Sequence, residues 1–402
     1  MNPDLTRRDF FSKTATGLGG MALASLFLRD GLVAATAPPF APKAKRVIQL
    51  FMNGGASQCD LFDYKPALIA RHGQTFDPGN GQRVEASIST PGAIMKSPFE
   101  WAQHGRSGRW VSSVLPHTAR HVDDLAFLMA MTSKSNVHGP AAYLQTTGFL
   151  LPGFPCLGAW LSYGLGSLSD NVPAFVVLPD GRGLPYNNRS AFSSGFLPAN
   201  HQGTVINAGA AQPISHLRPP AGAEYITPGS RVEGLELLEK LNTAHAAERP
   251  GDSQLTARIA SYQLAARLQL AAPDLLDIKG ETEATRKLYG LGDAATEDFG
   301  RRCLMARRMI ERGVRFVQVW SAPGGGSANW DNHGNIKNEL GFIAKSSDQG
   351  TAALLTDLKA RGCWRIRSSS GPPSLAGCRS ARGERDAITM AAPSFPGSPG
   401  QG

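Results

Sequence analysis

The chain has 402 residues, 42% hydrophobic and 18% charged, a composition typical of one large globular domain or two modest ones. The formal net charge of +9 is spread along the chain without a run of five basic residues, which argues against nucleic-acid binding and favours anionic small-molecule partners. The cysteines are few and form no Cys-x-x-Cys pair, which does not suggest a disulfide scaffold, and we expect Cys59, Cys156 and Cys303 to be small apolar fillers.

The N-terminus has the pattern of an export signal. Thr6-Arg7-Arg8-Asp9-Phe10-Phe11 fits the twin-arginine motif, and a weakly hydrophobic stretch then leads to Ala35-Thr36-Ala37, an A-x-A cleavage site. The stretch is shorter and richer in glycine than the roughly 20 apolar residues of a membrane span. We therefore expect residues 1–37 to be a signal peptide read by the twin-arginine translocase. The mature protein would be periplasmic or secreted, with no stable membrane span after cleavage.

Four apolar runs have the length of buried strands. Each is followed by Gly-rich, polar or Pro-containing sequence, as expected where a parallel strand ends at a loop. The predicted strands are Arg46–Met52, Leu125–Met131, Ala174–Leu178 and Val314–Trp320. Residues 79–108 are rich in Gly, Pro and Ser and are predicted to form a long surface loop.

Helical spacing dominates from Val232 to Arg312 and again from about Asn338 to Arg361. Leu235, Leu238 and Leu241 recur at intervals of three, and Asp252 precedes the next helix as a cap. Strands that alternate with helices predict an α/β domain around a mostly parallel central sheet flanked by helices.

Three clusters that could carry chemistry follow predicted strands. In the first, Asp60 and Asp63 are hard oxygen ligands for a divalent cation, or Asp caps of a turn. In the second, His138 begins a helix whose N-terminus suits an anion, so it is a metal ligand, an acid or base, or part of a capping loop. In the third, Asp331 and His333 offer a carboxylate and an imidazole to a shared metal.

These features together resemble the domain-of-unknown-function 1501 family, exported proteins assigned to the alkaline-phosphatase-like fold. The similarity runs in order from Val47 to about Gly362. The matching stretches are Phe51–Ser57 through Asp60, Asp63–Pro66, Ser97–Phe99, Leu115-Pro116, Asp123–Ala126, His138 with Thr147-Gly148, Ala271–Pro273, Tyr289-Gly290, Ala306–Phe316 and Trp330–His333.

The resemblance implies an alkaline-phosphatase-like α/β fold that hydrolyses or transfers sulfate or phosphate esters with divalent metal ions (Zn, Ca, Mg or Mn). In that superfamily the nucleophile begins a helix nine residues before a Thr-Gly pair, so His138 stands where Ser, Thr or Cys is usual. The roles that it implies are catalysis for His138, metal binding for Asp60, Asp63, Asp331 and His333, and substrate binding for Asn53 and Ser57.

The chain departs from the family pattern at Cys363, where the composition shifts to Arg, Ser, Gly and Pro without periodicity, which predicts disorder. In the family a further strand follows here, then a Glu-Phe-Gly-Arg stretch and an Arg-Asp-His stretch. If the codons are read one base earlier, they permit the strand, the Glu-Phe-Gly-Arg stretch and the Arg-Asp-His stretch in that order. We therefore interpret residues 363–402 as an out-of-frame tail, and residues 38–362 as a domain that lacks the C-terminal part of its fold. Such a domain would have an unpaired sheet edge and impaired activity.

Two functions remain open. The first is an exported metal-dependent hydrolase of anionic small-molecule or glycan esters, which is supported by Asp and His residues after three separate strands. The second is an exported non-catalytic binding protein with the same fold, which is supported by the missing usual nucleophile. A product without function is a third possibility.

Overall fold

The computed structural model describes residues 44–76, 92–129, 131, 133–135, 137–210, 213–214, 222, 227–250, 252–325, 328–332, 334–363 and 386–391. The predicted signal peptide, residues 1–37, therefore lies outside the described residues. In the described part of the chain, no helix is long and apolar enough to cross a membrane.

The secondary structure alternates between strands and helices. The strands are β1 (Arg46–Met52), β2 (Trp101–His104), β3 (Arg109–Ser112), β4 (Phe175–Leu178), β5 (Thr204–Val205), β6 (Phe316–Ser321) and β7 (Asp386–Ala391). The helices are α1 (Pro66–Ala70), α2 (His138–Thr147), α3 (Leu157–Leu165), α4 (Pro228–Ala247), α5 (Ser253–Leu276), α6 (Glu283–Leu288), α7 (Glu297–Glu311) and α8 (Ile336–Ala360).

A parallel sheet with the strand order β5-β4-β6-β1-β7 forms the centre of the protein. Alternate residues of β6 lie in different apolar clusters, as expected when both faces of a sheet are covered. Val317 and Val319 pack with residues of α7 and α8, while Phe316 and Trp320 pack with residues of α3. The predicted α/β class, with a mostly parallel sheet flanked by helices, is confirmed.

Most of the predicted elements appear where the sequence places them. The strand prediction is confirmed for β1, β4 and β6, and the helical pattern from Val232 to Arg312 forms α4 to α7. Asp252 caps α5, because its Oδ1 accepts the backbone N–H of Leu255 at 2.9 Å. Cys156 and Cys303 are buried free thiols, as predicted, and burial raises the pKa of Cys156 to about 12.

The prediction of a strand at Leu125–Met131 is wrong. The described residues of this run form no strand, and Leu128 and Met131 are 77% and 62% exposed. The edge strands of the described sheet are β5 and β7, and the run pairs with neither of them. An apolar run of strand length is therefore left outside the sheet.

The expected loss of a sheet strand does not leave β1 unpaired, because tail residues cover the edge of β1 that faces away from β6. Strand β7 pairs in parallel with β1 from Arg46↔Asp386 to Phe51↔Ala391. Disorder is therefore the wrong prediction for residues 386–391, whereas residues 364–385 and 392–402 lie outside the described residues. Because backbone hydrogen bonding does not depend on side-chain identity, a segment without a strand pattern of its own can complete the sheet.

The predicted long loop at 79–108 is wrong for its last residues. Strand β2 pairs antiparallel with β3, and the turn between them has Gly105 and Gly108 at φ of +65° and +61°. Glycine reaches this conformation without steric cost, so the run that suggests a loop also permits a hairpin. Residues 77–91 lie outside the described part of the chain.

Candidate active site

The carboxyl ends of β1 and β6 bring two loops into contact. The backbone O of Asn53, just after β1, accepts the N–H of Trp330 at 3.0 Å, and its Nδ2 donates to the backbone O of Ala322 at 3.3 Å. A Cβ on Gly54 would lie 2.8 Å from the backbone N of Asp331, and Gly54 has a φ of +119°. Glycine is therefore required here for the two loops to approach each other.

His138 and Asp331 form the central pair of the candidate site. Nε2 of His138 lies 2.8 Å from Oδ2 of Asp331, and each side chain is about one-fifth exposed. The sequence places these residues 193 positions apart, and the fold joins the first residue of α2 to the loop after β6. A carboxylate at this distance orients the imidazole ring.

Tyr186 and Asn329 hold this pair in place. The Tyr186 ring stacks on the His138 imidazole with the centroids 5.0 Å apart and the planes 17° from parallel. Asn329 donates through Nδ2 to the Tyr186 hydroxyl at 3.2 Å, and its Oδ1 accepts the backbone N–H of Asp331 at 2.9 Å. Burial raises the pKa of Tyr186, so its phenol stays protonated at neutral pH.

The start of α2 is anchored from a neighbouring loop. Asn187, in the left-handed conformation with a φ of +67°, donates through Nδ2 to the backbone O of Gly139 at 2.7 Å. One turn further on, the hydroxyls of Tyr143 and Ser190 are 2.8 Å apart. These contacts fix the helix N-terminus, where backbone N–H groups favour an anionic ligand.

The first cluster, by contrast, is satisfied within itself. Asp60 is buried in a short turn of 3-10 helix, and its Oδ2 accepts the Ser57 hydroxyl at 2.6 Å. Asp63 forms an ion pair with Lys65 at 2.8 Å. The contacts of Asp60 and Asp63 therefore link them to neighbours in sequence, and not to the His138–Asp331 pair.

The potential metal ligands among the described residues do not by themselves form a metal site. Among the described residues, no group of three or more His, Cys, Asp or Glu could hold a metal ion, and His333 lies outside them. One observation favours a cation: Oδ1 of Asn53 is buried and accepts no hydrogen bond within the described structure. A lone amide oxygen does not complete a ligand set, so the metal roles of Asp60, Asp63, Asp331 and His333 stay predictions.

Asp180 is a buried residue at this edge of the sheet that sequence reasoning missed as a site residue. It follows β4, and its Oδ2 accepts Arg302 Nη2 at 3.0 Å and the backbone N–H of Ala322 at 2.9 Å. Arg182 also donates to both of its oxygens. Burial opposes ionisation, but the Arg182 hydrogen bond and the charge of Arg302 outweigh it and hold the Asp180 pKa at about 2.

The signal for Asp180 was present in the sequence as Pro179-Asp180-Gly181 directly after a predicted strand. Its role is structural support for the site. Ala322 has a φ of +82°, which is unfavourable for a residue with a Cβ, and the Asp180 carboxylate holds its backbone N–H. Ala322 in turn accepts the Asn53 side chain. Asp180 and Arg302 therefore stabilise the loop that leads to Asp331.

Comparison with known families gives one match. The family model described as "Protein of unknown function (DUF1501)" matches residues 44–366, which is most of the chain. The chain belongs to this family. His138 and Asp331, which are in contact in this structure, both lie within the matched residues. No curated protein and no solved structure matches this DUF1501 chain.

Proposed function

We propose that this protein is an exported hydrolase of sulfate or phosphate esters, with His138 and Asp331 at its reactive centre. The observation that carries the proposal is the 2.8 Å contact between His138 Nε2 and Asp331 Oδ2 at the N-terminus of α2. An anionic ester group is favoured at a helix N-terminus, and a carboxylate-held imidazole is suited to take up a proton. The alkaline-phosphatase-like fold belongs to this proposal.

In the proposed reaction, the anionic group lies at the start of α2 and a water molecule attacks its phosphorus or sulfur atom. His138 accepts a proton from that water, and Asp331 stabilises the imidazolium that forms. The ester bond to the alcohol breaks, the leaving alkoxide takes a proton from solvent, and His138 then returns its proton to solvent. Tyr186 and Asn329 keep the imidazole and carboxylate aligned through their stacking and hydrogen bonds. Asn53 and Ser57 are the proposed substrate contacts.

A divalent metal ion is a separate part of the proposal. No step above involves a metal ion, because the described residues include no group of three His, Cys, Asp or Glu that could hold one. If Zn, Ca, Mg or Mn binds through Asp60, Asp63, Asp331 and His333, it would polarise the ester oxygen. Metal content of the purified chain, measured by elemental analysis with and without added metal, tests this.

The tail bears on activity in this form of the protein. We propose that residues from Cys363 onward arise from a change of reading frame, and the end of the family match at residue 366 supports this. The family's Glu-Phe-Gly-Arg and Arg-Asp-His stretches would then be missing. We expect reduced activity in the 402-residue chain for that reason.

The test compares hydrolysis of para-nitrophenyl sulfate and para-nitrophenyl phosphate by the 402-residue chain and by a chain with the frame shifted at codon 363. We expect turnover in at least the second chain, and a loss of about 100-fold or more in His138→Asn and Asp331→Asn variants, since general bases contribute at least this much. His72→Asn is the control, because His72 lies on an exposed segment beside Ile94.

Retention of turnover in both site variants would contradict the roles of His138 and Asp331. Absence of turnover in both parent chains would overturn the enzyme proposal. Saturable binding of an anionic ester by those inactive chains, lost in His138→Asn, would instead establish the alternative, a non-catalytic exported binding protein.

A further inference from the structure

The hydroxyl of Tyr186 has a proton that no described residue accepts. Its oxygen accepts Nδ2 of Asn329 at 3.2 Å, and within the described structure the hydroxyl makes no second hydrogen bond. A phenol has one O–H donor in addition to its acceptor oxygen, so the proton is still available after the contact with Asn329. Tyr186 is partly exposed, which leaves its hydroxyl accessible to a ligand.

Asn329 determines the direction in which this proton points. The residue is buried, and its Oδ1 accepts the backbone N–H of Asp331 at 2.9 Å. Because a backbone N–H can only donate, this contact identifies which end of the amide is the oxygen and directs Nδ2 towards Tyr186. Nδ2 can also only donate, so the Tyr186 proton must point away from Asn329.

The phenol keeps its proton at neutral pH. Burial is the main cause of the raised pKa of Tyr186; the hydrogen bond from Asn329 opposes this effect, and the negative charge of Asp331 adds to it. Tyr186 is therefore a neutral hydrogen-bond donor, and not an anion that would repel an anionic ligand.

Tyr186 is fixed between the start of α2 and the loop after β6. Its ring stacks on His138, the first residue of α2, and the next residue, Asn187, donates to the backbone O of Gly139 at 2.7 Å. On the other side, a Cβ on Gly324 would lie 2.1 Å from the backbone N of Tyr186. A donor held from two sides needs little reorganisation to meet a ligand, which favours binding.

The donors that meet at this point suit an oxyanion. Backbone N–H groups at the start of α2 favour negative charge, and the Tyr186 hydroxyl is a side-chain donor beside the same helix end. Hydrogen bonds to a charged acceptor are stronger than those between neutral groups. An anion that accepts from both would lie next to His138, where the proposed reaction needs it.

We propose that the Tyr186 hydroxyl donates a hydrogen bond to a non-bridging oxygen of the sulfate or phosphate group of the ester. This inference rests on the proposed function and names a side chain that binds the anionic group. Asn329 acts through Tyr186 as a positioning residue, because it holds the hydroxyl in the orientation that presents its proton.

The experiment measures the binding of inorganic sulfate and inorganic phosphate by isothermal titration calorimetry. It uses the 402-residue chain and the chain with the frame shifted at codon 363. We expect Tyr186→Phe to raise the dissociation constant of the anion by about tenfold or more, because a hydrogen bond to a charged group is lost. Phenylalanine keeps the ring that stacks on His138, so this variant isolates the hydroxyl.

Tyr163→Phe is the matched control. Tyr163 lies on α3 and packs edge-on against His201, outside the candidate site, so removal of its hydroxyl should leave anion binding unchanged. The imidazole signals of His138 in a two-dimensional NMR spectrum of the anion-free protein should keep their positions in Tyr186→Phe. Displaced His138 signals would assign the loss of affinity to a disturbed imidazole and overturn the contact with the anion.

Unchanged anion affinity in Tyr186→Phe overturns the inference, and so does the absence of saturable binding of either anion by both parent chains. Chains that bind an anion through Tyr186 but hydrolyse neither ester would keep this inference while contradicting the hydrolase proposal. Where turnover is present, Tyr186→Phe should raise KM and change kcat less, as expected for a binding contact. A fall in kcat with an unchanged KM would overturn the binding role.

Discussion

At the scale of single residues, the candidate site depends on buried charged residues as well as on His138 and Asp331 themselves. Asp180 and Arg302 are almost fully buried, and their contact joins β4 to α7 just below the loop that carries Asp331. Arg302 also donates to the backbone O of Trp320 and to Asp298. Of the two carboxylates that contact Arg302, Asp180 is buried and Asp298 is partly exposed, so Asp180 is the main compensation for the buried guanidinium.

We expect Asp180→Asn to lower the free energy of unfolding by about 2–4 kcal/mol at pH 7, because the buried Arg302 would keep only the partly exposed carboxylate of Asp298. The Asp180 pKa falls from 3.8 to about 2 on folding, so its stabilisation is present above pH 3.8 and is lost as the pH falls towards 2. Urea unfolding of the parent and the variant at pH 7, 4 and 3 checks this.

The difference between the two proteins should therefore be constant from pH 7 to about 5 and shrink below pH 4. Asp170→Asn, at an exposed aspartate, is the matched control and should leave stability within about 0.5 kcal/mol of the parent. A difference for Asp180→Asn that stays unchanged down to pH 3 would contradict the assignment of the pKa shift.

At the scale of secondary-structure elements, a tail segment pairs with β1 while an apolar run of strand length stays outside the sheet. Strand β7 pairs with β1 along its length. Leu125–Met131 has the apolar composition and length of a strand, yet it lies outside the sheet with Leu128 and Met131 exposed. Removal of β7 would open the edge of β1 and offer this exposed apolar segment backbone partners and burial, so we expect it to move towards the sheet.

We expect Ile388→Pro, in the middle of β7, to disrupt its pairing with β1, because proline has no N–H for the ladder and fits poorly inside a sheet. Amide hydrogen exchange by mass spectrometry should then show faster exchange in Asp386–Ala391 and slower exchange in Leu125–Met131. Ile388→Val is the control and should behave as the parent does. Unchanged exchange in Leu125–Met131 after loss of β7 would show that the two segments do not compete.

At the scale of the whole molecule, the proposed change of reading frame has a measurable consequence. The family match covers residues 44–366, and the residues beyond it contribute only β7 to the described structure. If the family's acidic and histidine groups lie in the other frame, the 402-residue chain lacks part of its ligand set.

We expect the chain with the frame shifted at codon 363 to bind at least one divalent metal ion at least tenfold more tightly than the 402-residue chain. We also expect it to unfold at a temperature several degrees higher, since metal binding stabilises the folded state. Elemental analysis and calorimetry of both chains measure these quantities. Equal metal content and equal unfolding temperatures would show that the altered segment supplies no ligand.

Sequence patterns were sufficient to predict the elements whose type, helix or strand, depends on local periodicity. The apolar runs at β1, β4 and β6 have the length and composition of buried strands, and helical spacing indicates α4 to α8 because the period of 3.6 residues is a local property. His138 at a helix start was likewise predictable, since the polar residues before it lead into a helical stretch that the structure shows as His138–Thr147.

The sequence by itself therefore determined the α/β class, the DUF1501 membership and the candidate residues His138 and Asp331. Only the tertiary structure decided that these two meet at 2.8 Å, that Asp60 and Asp63 pair with Ser57 and Lys65, and that Asp180 holds Ala322. It also decided which of two segments occupies the edge of β1. The physical reason is that strand pairing and side-chain contacts join residues far apart in the chain. The local pattern of one segment does not identify the distant segment with which it pairs.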